Sequence, residues 1–246
     1  MLAVKPLTAN ATGVVYDTIP YWSPVDAVIG GWGPGQSSTL GETFVAPAGA
    51  GVSLNDFSLV AESYGGIASL SIKPFVYKWS GSMTGHGGGA VGNPLYLGTS
   101  FLFSPPERPN GWVPLTFNFW ANGLVLNPGD HYVVGFTISD PADYAASHGY
   151  VEFQEVPNRN PFYAQLPAGI DGYGGAVYDN NGNNFSALNT TVWDTGGDTG
   201  DYAFEADFTV VPEPGSRFVI FVGVLLSVVC AFRQLSMRSK SGSSRV

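Results

Sequence analysis

Between residues 14 and 211 no stretch repeats its apolar residues at helical spacing. Short alternating runs recur instead, separated by Gly, Pro, Asn and Asp. They are Val14–Ile19, Glu42–Ala46, Leu54–Val60, Ser69–Trp79, Leu95–Phe103, Leu115–Trp120, His131–Ile138, Gly149–Gln154 and Tyr202–Val210. Successive side chains of a strand point to opposite faces, so such alternation marks a strand with one buried face. In "SLSIKPFVYKW", Leu70 and Ile72 share a face. In "PLTFNFW", Leu115, Phe117 and Phe119 point one way and Thr116 and Asn118 the other. In "YAFEADFTV", Phe204, Ala206 and Phe208 oppose Ala203, Glu205 and Asp207. Many short strands with frequent turn signals predict an all-β chain, an antiparallel β-sandwich or jelly roll, over residues 14–210.

The clearest turn is Asn127-Pro128-Gly129-Asp130, where Pro fixes φ and Gly accepts a positive φ. It joins a short strand at Leu124 and Leu126 to one in which Tyr132, Val134 and Phe136 alternate. From the 160s to 201 the chain is looser. "DGYGGAVYDNNGNNFSALNTTVWDTGGDTGD" is rich in Gly, Asn and Asp and predicts long loops. No period of 20–50 residues points to a solenoid or propeller.

Charge is scarce and unevenly placed. Charged residues make up 12% of the chain, against a usual share of about 25%. Residues 1–211 hold five cations and 18 acids, whereas residues 212–246 hold five cations and Glu213 alone. An acidic body excludes nucleic acid as a partner, because phosphate binding needs a basic footprint. The single cysteine, Cys230, precludes a disulfide within the chain.

No catalytic constellation is legible. His86, His131 and His148 lack zinc-enzyme spacing, and GxSxG, P-loop and GxGxxG signatures are missing. Glu152 and Glu155 read as solvated strand-end charges. The chain is therefore expected not to be an enzyme. Calcium is the one candidate cofactor. Asp179, Asn181 and Asn183 have one-three-five spacing without the closing Glu of an EF-hand, and Asp194, Asp198 and Asp201 lie in a Gly-rich loop. The competing role for all of them is to cap Asx-turns. Trp22, Trp32, Trp79, Trp112, Trp120 and Trp193 are candidates for stacking on sugars. Trp112 in "PNGWVP" and Trp193 in the Gly/Asp loop are expected to be the exposed ones.

The end of the chain follows other rules. Phe218–Phe232 is 15 residues without a charge. As a helix it spans about 22 Å, short of the roughly 30 Å hydrocarbon core. It is apolar all round and bounded by Arg217 and Arg233, which predicts membrane insertion with snorkelling arginines. Arg233, Arg238 and Lys240, with Arg245 beyond them, form the side expected to stay cytoplasmic, leaving the acidic body outside. Pro212 and Pro214 flank Glu213 and bias the chain toward extended backbone, suited to a processing enzyme. At the other end Ala9-Asn10-Ala11 matches a small-x-small cleavage pattern. Residues 1–13 therefore read as the remnant of, or junction with, a signal peptide.

Pro212-Glu213-Pro214, the apolar run and the basic terminus together resemble the PEP-CTERM protein-sorting domain over residues 211–238, with a polar basic tail at 239–246. The resemblance implies an exported protein of a Gram-negative bacterium. It further implies recognition by exosortase, a membrane-embedded cysteine transpeptidase-like enzyme, and an association with exopolysaccharide and biofilm. The basic cluster is more dilute and longer than in that family. Less specifically, "TFVAPAGAGVSLNDFSLV", "LVLNPGDHYVVGF" and "DYAFEADFTVVPEP" resemble the β-sandwich ectodomains that such proteins carry. The expected role is an exported cell-surface or matrix protein, tethered to the inner membrane before processing. The alternative is a carbohydrate-binding module of the polysaccharide matrix.

Overall fold

In the computed structural model the alternating runs become paired strands. The structure describes residues 11–21, 28–63, 66–83, 87–107, 111–119, 123–156, 174–194 and 201–211. The sorting motif Pro212–Pro214, the run Phe218–Phe232 and the basic residues Arg233, Arg238 and Lys240 lie outside them, as do Trp22, Trp120, His86 and Asp198.

Fourteen strands are described: β1 Thr12–Asp17, β2 Val28–Trp32, β3 Thr39–Val45, β4 Gly51–Ser63, β5 Leu70–Ser80, β6 Gly89–Leu97, β7 Phe101–Phe103, β8 Val113–Asn118, β9 Val125–Leu126, β10 His131–Thr137, β11 Val151–Val156, β12 Ala176–Asp179, β13 Asp201–Tyr202 and β14 Phe204–Val211. They form two antiparallel sheets. The eight-stranded sheet runs β1-β14-β4-β11-β13, with β2 on β11 and β8 and β9 on β4. The six-stranded sheet runs β12-β3-β10-β5-β6, with β7 on β5.

The inner faces of the two sheets meet in one core. Phe57 of β4 packs on Phe136 of β10 with ring centres 6.0 Å apart, and Phe208 of β14 packs on Phe44 of β3 at 5.4 Å. Leu70, Ile72, Leu115, Phe119, Tyr132, Val134, Phe204 and Ala206 join them, with the face assignments that their alternation predicts. Burying each such large apolar side chain stabilises the fold by about 1.5–3 kcal/mol. Strand β1 closes one edge, and Thr12 stands opposite Val210, so the chain enters and leaves the fold at one corner.

A second apolar cluster lies on the outer face of the six-stranded sheet. Phe75, Tyr77 and Trp79 of β5, Val133 of β10 and Val177 of β12 are covered there by Leu188 and Trp193. The covering segment is the stretch that the composition predicts as loose loop. It is pinned at defined points: Trp193 N–H donates to Gly88 O at 2.9 Å, and Asn189 Nδ2 donates to Gly92 O at 2.6 Å. Gly88 has to be glycine, since a Cβ there would stand 2.5 Å from the Trp79 ring.

Some elements are not foreseen. The run Leu95–Phe103 is two strands, broken at Gly98–Ser100. Strands β2 ("VIGGW") and β12 ("AVYD") are too short or too Gly-rich to show a period. Helix α1, Pro141–Ala146, contradicts the expectation of no helix and is likewise too short for a period. Its signal is local: the Asp140 carboxylate caps it by accepting from Ala142 N–H at 3.0 Å, and Pro141 opens its first turn. Among the described residues no helix is long and apolar enough to cross a membrane.

Candidate functional site

Three polar features stand out against this apolar framework. The first is a groove of about 430 Å³ lined by Lys78, Trp79, Ser80, Val91, Gly129, Asp130 and His131. The turn Asn127–Asp130 builds one wall. Gly129 has φ 76°, the left-handed backbone that the sequence predicts for it. Asp130 accepts from Asn127 Nδ2 at 3.1 Å and from Lys78 Nζ at 3.0 Å. Those two contacts hold its carboxyl below the ordinary range, and Asp130 in turn holds the Lys78 ammonium above its own. Both side chains are well exposed, so the pair is a solvated surface ion pair.

The second feature covers the outer face of the eight-stranded sheet. Cross-strand register sets Asp17, Glu205, Ser58 and Thr116 in one row, and Val15, Asp207, Asp56 and Asn118 in the next. Four carboxylates therefore share one face. Partial burial pushes Asp17, Asp56 and Glu205 above the ordinary carboxyl range. Asp207 adds to the effect on Asp56, while Asp17, Asp56 and Asp207 add to that on Glu205. Alternation shows that Glu205 and Asp207 face outward, but only the register brings Asp17 and Asp56 beside them.

The third lies between the sheets. Glu42 of β3 is 1% exposed and points inward with Leu40 and Phe44. Its Oε2 accepts from Tyr202 N–H of β13 at 3.1 Å, across the core. Burial raises its carboxyl well above the ordinary range, and the neighbouring buried Asp201 carboxylate raises it further. The two acids thus favour a state with fewer than two negative charges.

A cationic counterpart sits beyond β10. Lys73 Nζ lies 3.1 Å from Asp140 and 3.3 Å from Asp143. Asp143 is buried and also accepts from Ser71 and Ser100 hydroxyls, each at 2.7 Å. This network fastens α1 to β5. Burial alone would lower the Lys73 ammonium, but the two carboxylates outweigh it and hold it raised.

The predicted site residues are scattered. Trp193 is 1% exposed, which overturns its expected exposure. Its indole meets Trp79 edge-on at 5.6 Å and donates to Leu188 O at 2.8 Å, so it serves as a core residue of the covering segment. Trp112 is half-buried against Val60, Val156 and Ala203, beside Ile19 and Tyr21. Glu152 is also corrected. It is buried, directly opposite the buried Glu62 on β4, on a face that this small cluster helps to cover. The calcium candidates do not converge. Asp194 bridges Tyr178 of the six-stranded sheet, whereas Asp201 belongs to β13 of the other sheet. Asp179 accepts from Thr191 Oγ1 at 2.6 Å, and Asn181 Oδ1 accepts from Ser38 and Thr39 hydroxyls at 2.6 and 3.1 Å. Those oxygens already serve the turn. Among the described residues no group of three or more His, Cys, Asp or Glu side chains is arranged to hold a metal ion.

No protein-family model matches the chain, and no curated protein matches it. A solved structure that aligns with it contains the cysteine protease and lectin-like domains of Cwp84, a surface layer associated protein of Clostridium difficile. The identity is 11% over 71% of this chain and 32% of that one, with a TM-score of 0.36. Similarity at that level carries no functional argument and lends no support to a catalytic role.

Proposed function

We propose that the chain is a non-catalytic, exported surface or matrix protein, sorted through Pro212-Glu213-Pro214 and the apolar run Phe218–Phe232 and processed by an exosortase-type enzyme. In this proposal the run is a short C-terminal transmembrane helix, and the two-sheet body, a jelly-roll-like sandwich, stays outside the membrane. Support comes from the corner at which the chain leaves the fold. Val211 ends β14 paired with Gly51 of β4, beyond a register shift at Asp207/Phe208, and the Pro-Glu-Pro motif follows at once in the sequence. The motif thus follows the last described pair of the sheet, and its prolines suit an extended segment open to an enzyme. Thr12 pairs with Val210 at the same corner, so in this proposal the leader junction and the membrane tail attach at one end of the body.

The test is expression of the full chain in a host that carries an exosortase-type enzyme. Wild type is expected to yield a product shortened near the motif by mass spectrometry, whereas a variant with Pro212→Ala, Glu213→Ala and Pro214→Ala keeps its tail. Equal processing of both would remove the motif from the mechanism.

Polysaccharide binding is the alternative role. The observation that favours it is Trp112, half-buried on the outer face of the eight-stranded sheet rather than sealed in the core. Glycan-array binding that Trp112→Ala abolishes would establish it. An array with no signal for the wild-type chain would dismiss it.

A further inference from the structure

We infer that the end of the sandwich from which the chain departs is a docking face for phospholipid headgroups, so that the body lies against the membrane instead of swinging free of it. This rests on the membrane insertion of Phe218–Phe232 proposed above.

Direct hydrogen bonds define the face. Ala50 N–H donates to Val211 O at 2.7 Å, Ala46 N–H to Asp130 O at 3.0 Å and Gly129 N–H to Ala46 O at 3.0 Å. The departing strand, the loop Ala46–Gly51 and the turn Asn127–Asp130 therefore form one continuous cap. Apolar side chains are exposed elsewhere too, at Ile67, Leu102 and Val192, so the cap is marked by its shortage of charge together with its apolar residues. Ala48 and Ala50 are small and exposed, and Val125 and Val211 are 67% and 42% exposed. The groove opens on the same cap, since Gly129, Asp130 and His131 line it.

Charge is graded along the strands. Only two Lys or Arg side chains fall among the described residues. Lys73 is held between Asp140 and Asp143, whereas Lys78, in the groove, is 46% exposed. The one acid in the cap, Asp130, is its partner. The carboxylate rows begin at Asp207, four residues up β14 from Val211 and so about 13 Å away. Glu62 lies in the last two residues of β4, at the opposite end of the strand from the cap, and Asp140 and Asp143 lie beyond the far end of β10. Against an anionic bilayer this gradient favours the cap as the near face and repels the rest.

Chain length enforces proximity. Six residues, 212–217, separate Val211 from Phe218. Fully extended they reach about 20 Å at most. An inserted tail therefore holds the cap within the range of the headgroups, where exposed valines and one cation gain contacts that water does not offer.

The experiment uses the full chain with Cys230→Ser and a single new thiol, Ala48→Cys in the cap or Ala145→Cys on α1 at the other end. Each is labelled with a fluorophore and reconstituted into phosphatidylcholine vesicles with and without phosphatidylglycerol, with a quencher on the lipid headgroup. The expected result is strong quenching at Ala48→Cys and none at Ala145→Cys. Adding Lys78→Glu should weaken the quenching in anionic vesicles alone. Co-flotation with equal quenching at both sites overturns the docking face and leaves tail insertion standing. Failure to co-float overturns both.

Discussion

The inter-sheet core and the cluster on the outer face of the six-stranded sheet bury the same kinds of side chain by different means. In the core two regular faces meet, and each residue is placed by a period of two. Strand β14 is the plainest case: Phe204, Ala206, Phe208 and Val210 are buried while Glu205, Asp207 and Thr209 are half-exposed. In the outer cluster a regular face is met by an irregular one. Leu188 and Trp193 come from residues 180–194, which follow β12 and whose regular structure is one short 3-10 turn, Phe185–Ala187, and the Asp194 bridge. The contrast teaches that a sheet covered on both faces gives up alternation. Strand β10, "HYVVGFT", is buried at every position after its first, and β5 carries Phe75, Val76 and Tyr77 in succession, all buried.

Breaking the core should cost most. Phe57 is fully buried between Phe136 and Phe204, at 6.0 and 6.1 Å. Phe57→Ala is expected to lower the unfolding free energy by about 4 kcal/mol, from lost transfer and the cavity left behind. Urea denaturation followed by tryptophan fluorescence measures this. A loss under about 1 kcal/mol would mean that the two sheets do not share a close-packed core.

Removing the cover should cost somewhat less and act locally first. Trp193→Ala deletes an edge-on contact to Trp79, another to Phe75 at 6.0 Å, and the hydrogen bond to Leu188. An expected loss of about 3 kcal/mol follows from its burial. Hydrogen exchange distinguishes the two regions. The Tyr178 and Asp194 amides, which bond across the bridge at 2.9 Å, should lose protection before those of β4 and β14. Simultaneous loss everywhere would make cover and core one cooperative unit.

These two regions also show what could be read in advance. Face assignments on β5, β8, β10 and β14 follow from alternation alone, because their inner faces obey one rule. The destination of Trp193 does not. Its neighbours in sequence are Gly, Asp and Thr, which predict exposure, and its partners Phe75 and Trp79 are more than a hundred residues away. A signal was present all the same in the doubly apolar runs of β5 and β10, which require something on their outer side. The polar sites were less legible for a related reason. Glu42 looks like any outward strand charge until β13 is known to pass beneath it. The carboxylate rows exist only once β1, β14, β4 and β8 are in register.

Glu42 separates polar from apolar burial within the core itself. Its folded carboxyl is raised above the unfolded value, so the folded state holds its proton to higher pH. The resulting stability is fully present below the ordinary carboxyl range and is lost as pH rises through the folded value. Thermal melts are therefore expected to show a Tm that rises on mild acidification from neutral pH. Glu42→Gln keeps an acceptor for Tyr202 N–H, offers Asp201 a donor and removes one buried charge. It should stabilise the neutral-pH form by about 1–2 kcal/mol and flatten that slope. Glu42→Ala should instead destabilise by about 2–3 kcal/mol, by leaving the amide without its acceptor. A pH slope unchanged in Glu42→Gln would place the effect elsewhere.

The smallest effect belongs to the half-exposed side of β14. Asp207 faces Asp56 directly across the ladder, and Glu205 faces Asp17. Like charges so placed destabilise a sheet by about 0.2–1 kcal/mol, and solvent and salt reduce this further. Asp207→Asn should therefore raise stability by a few tenths of a kcal/mol at low ionic strength and by nothing measurable in high salt. Calcium gives the sharper comparison. If the rows only repel one another, calcium and sodium chloride at equal ionic strength should raise the Tm of wild type equally, and neither should much affect the variant. A saturable gain specific to calcium, lost in Asp207→Asn, would instead show that register alone had assembled a cation site on this face. The sheet would then carry a function in the very alternation that builds its core on the other side.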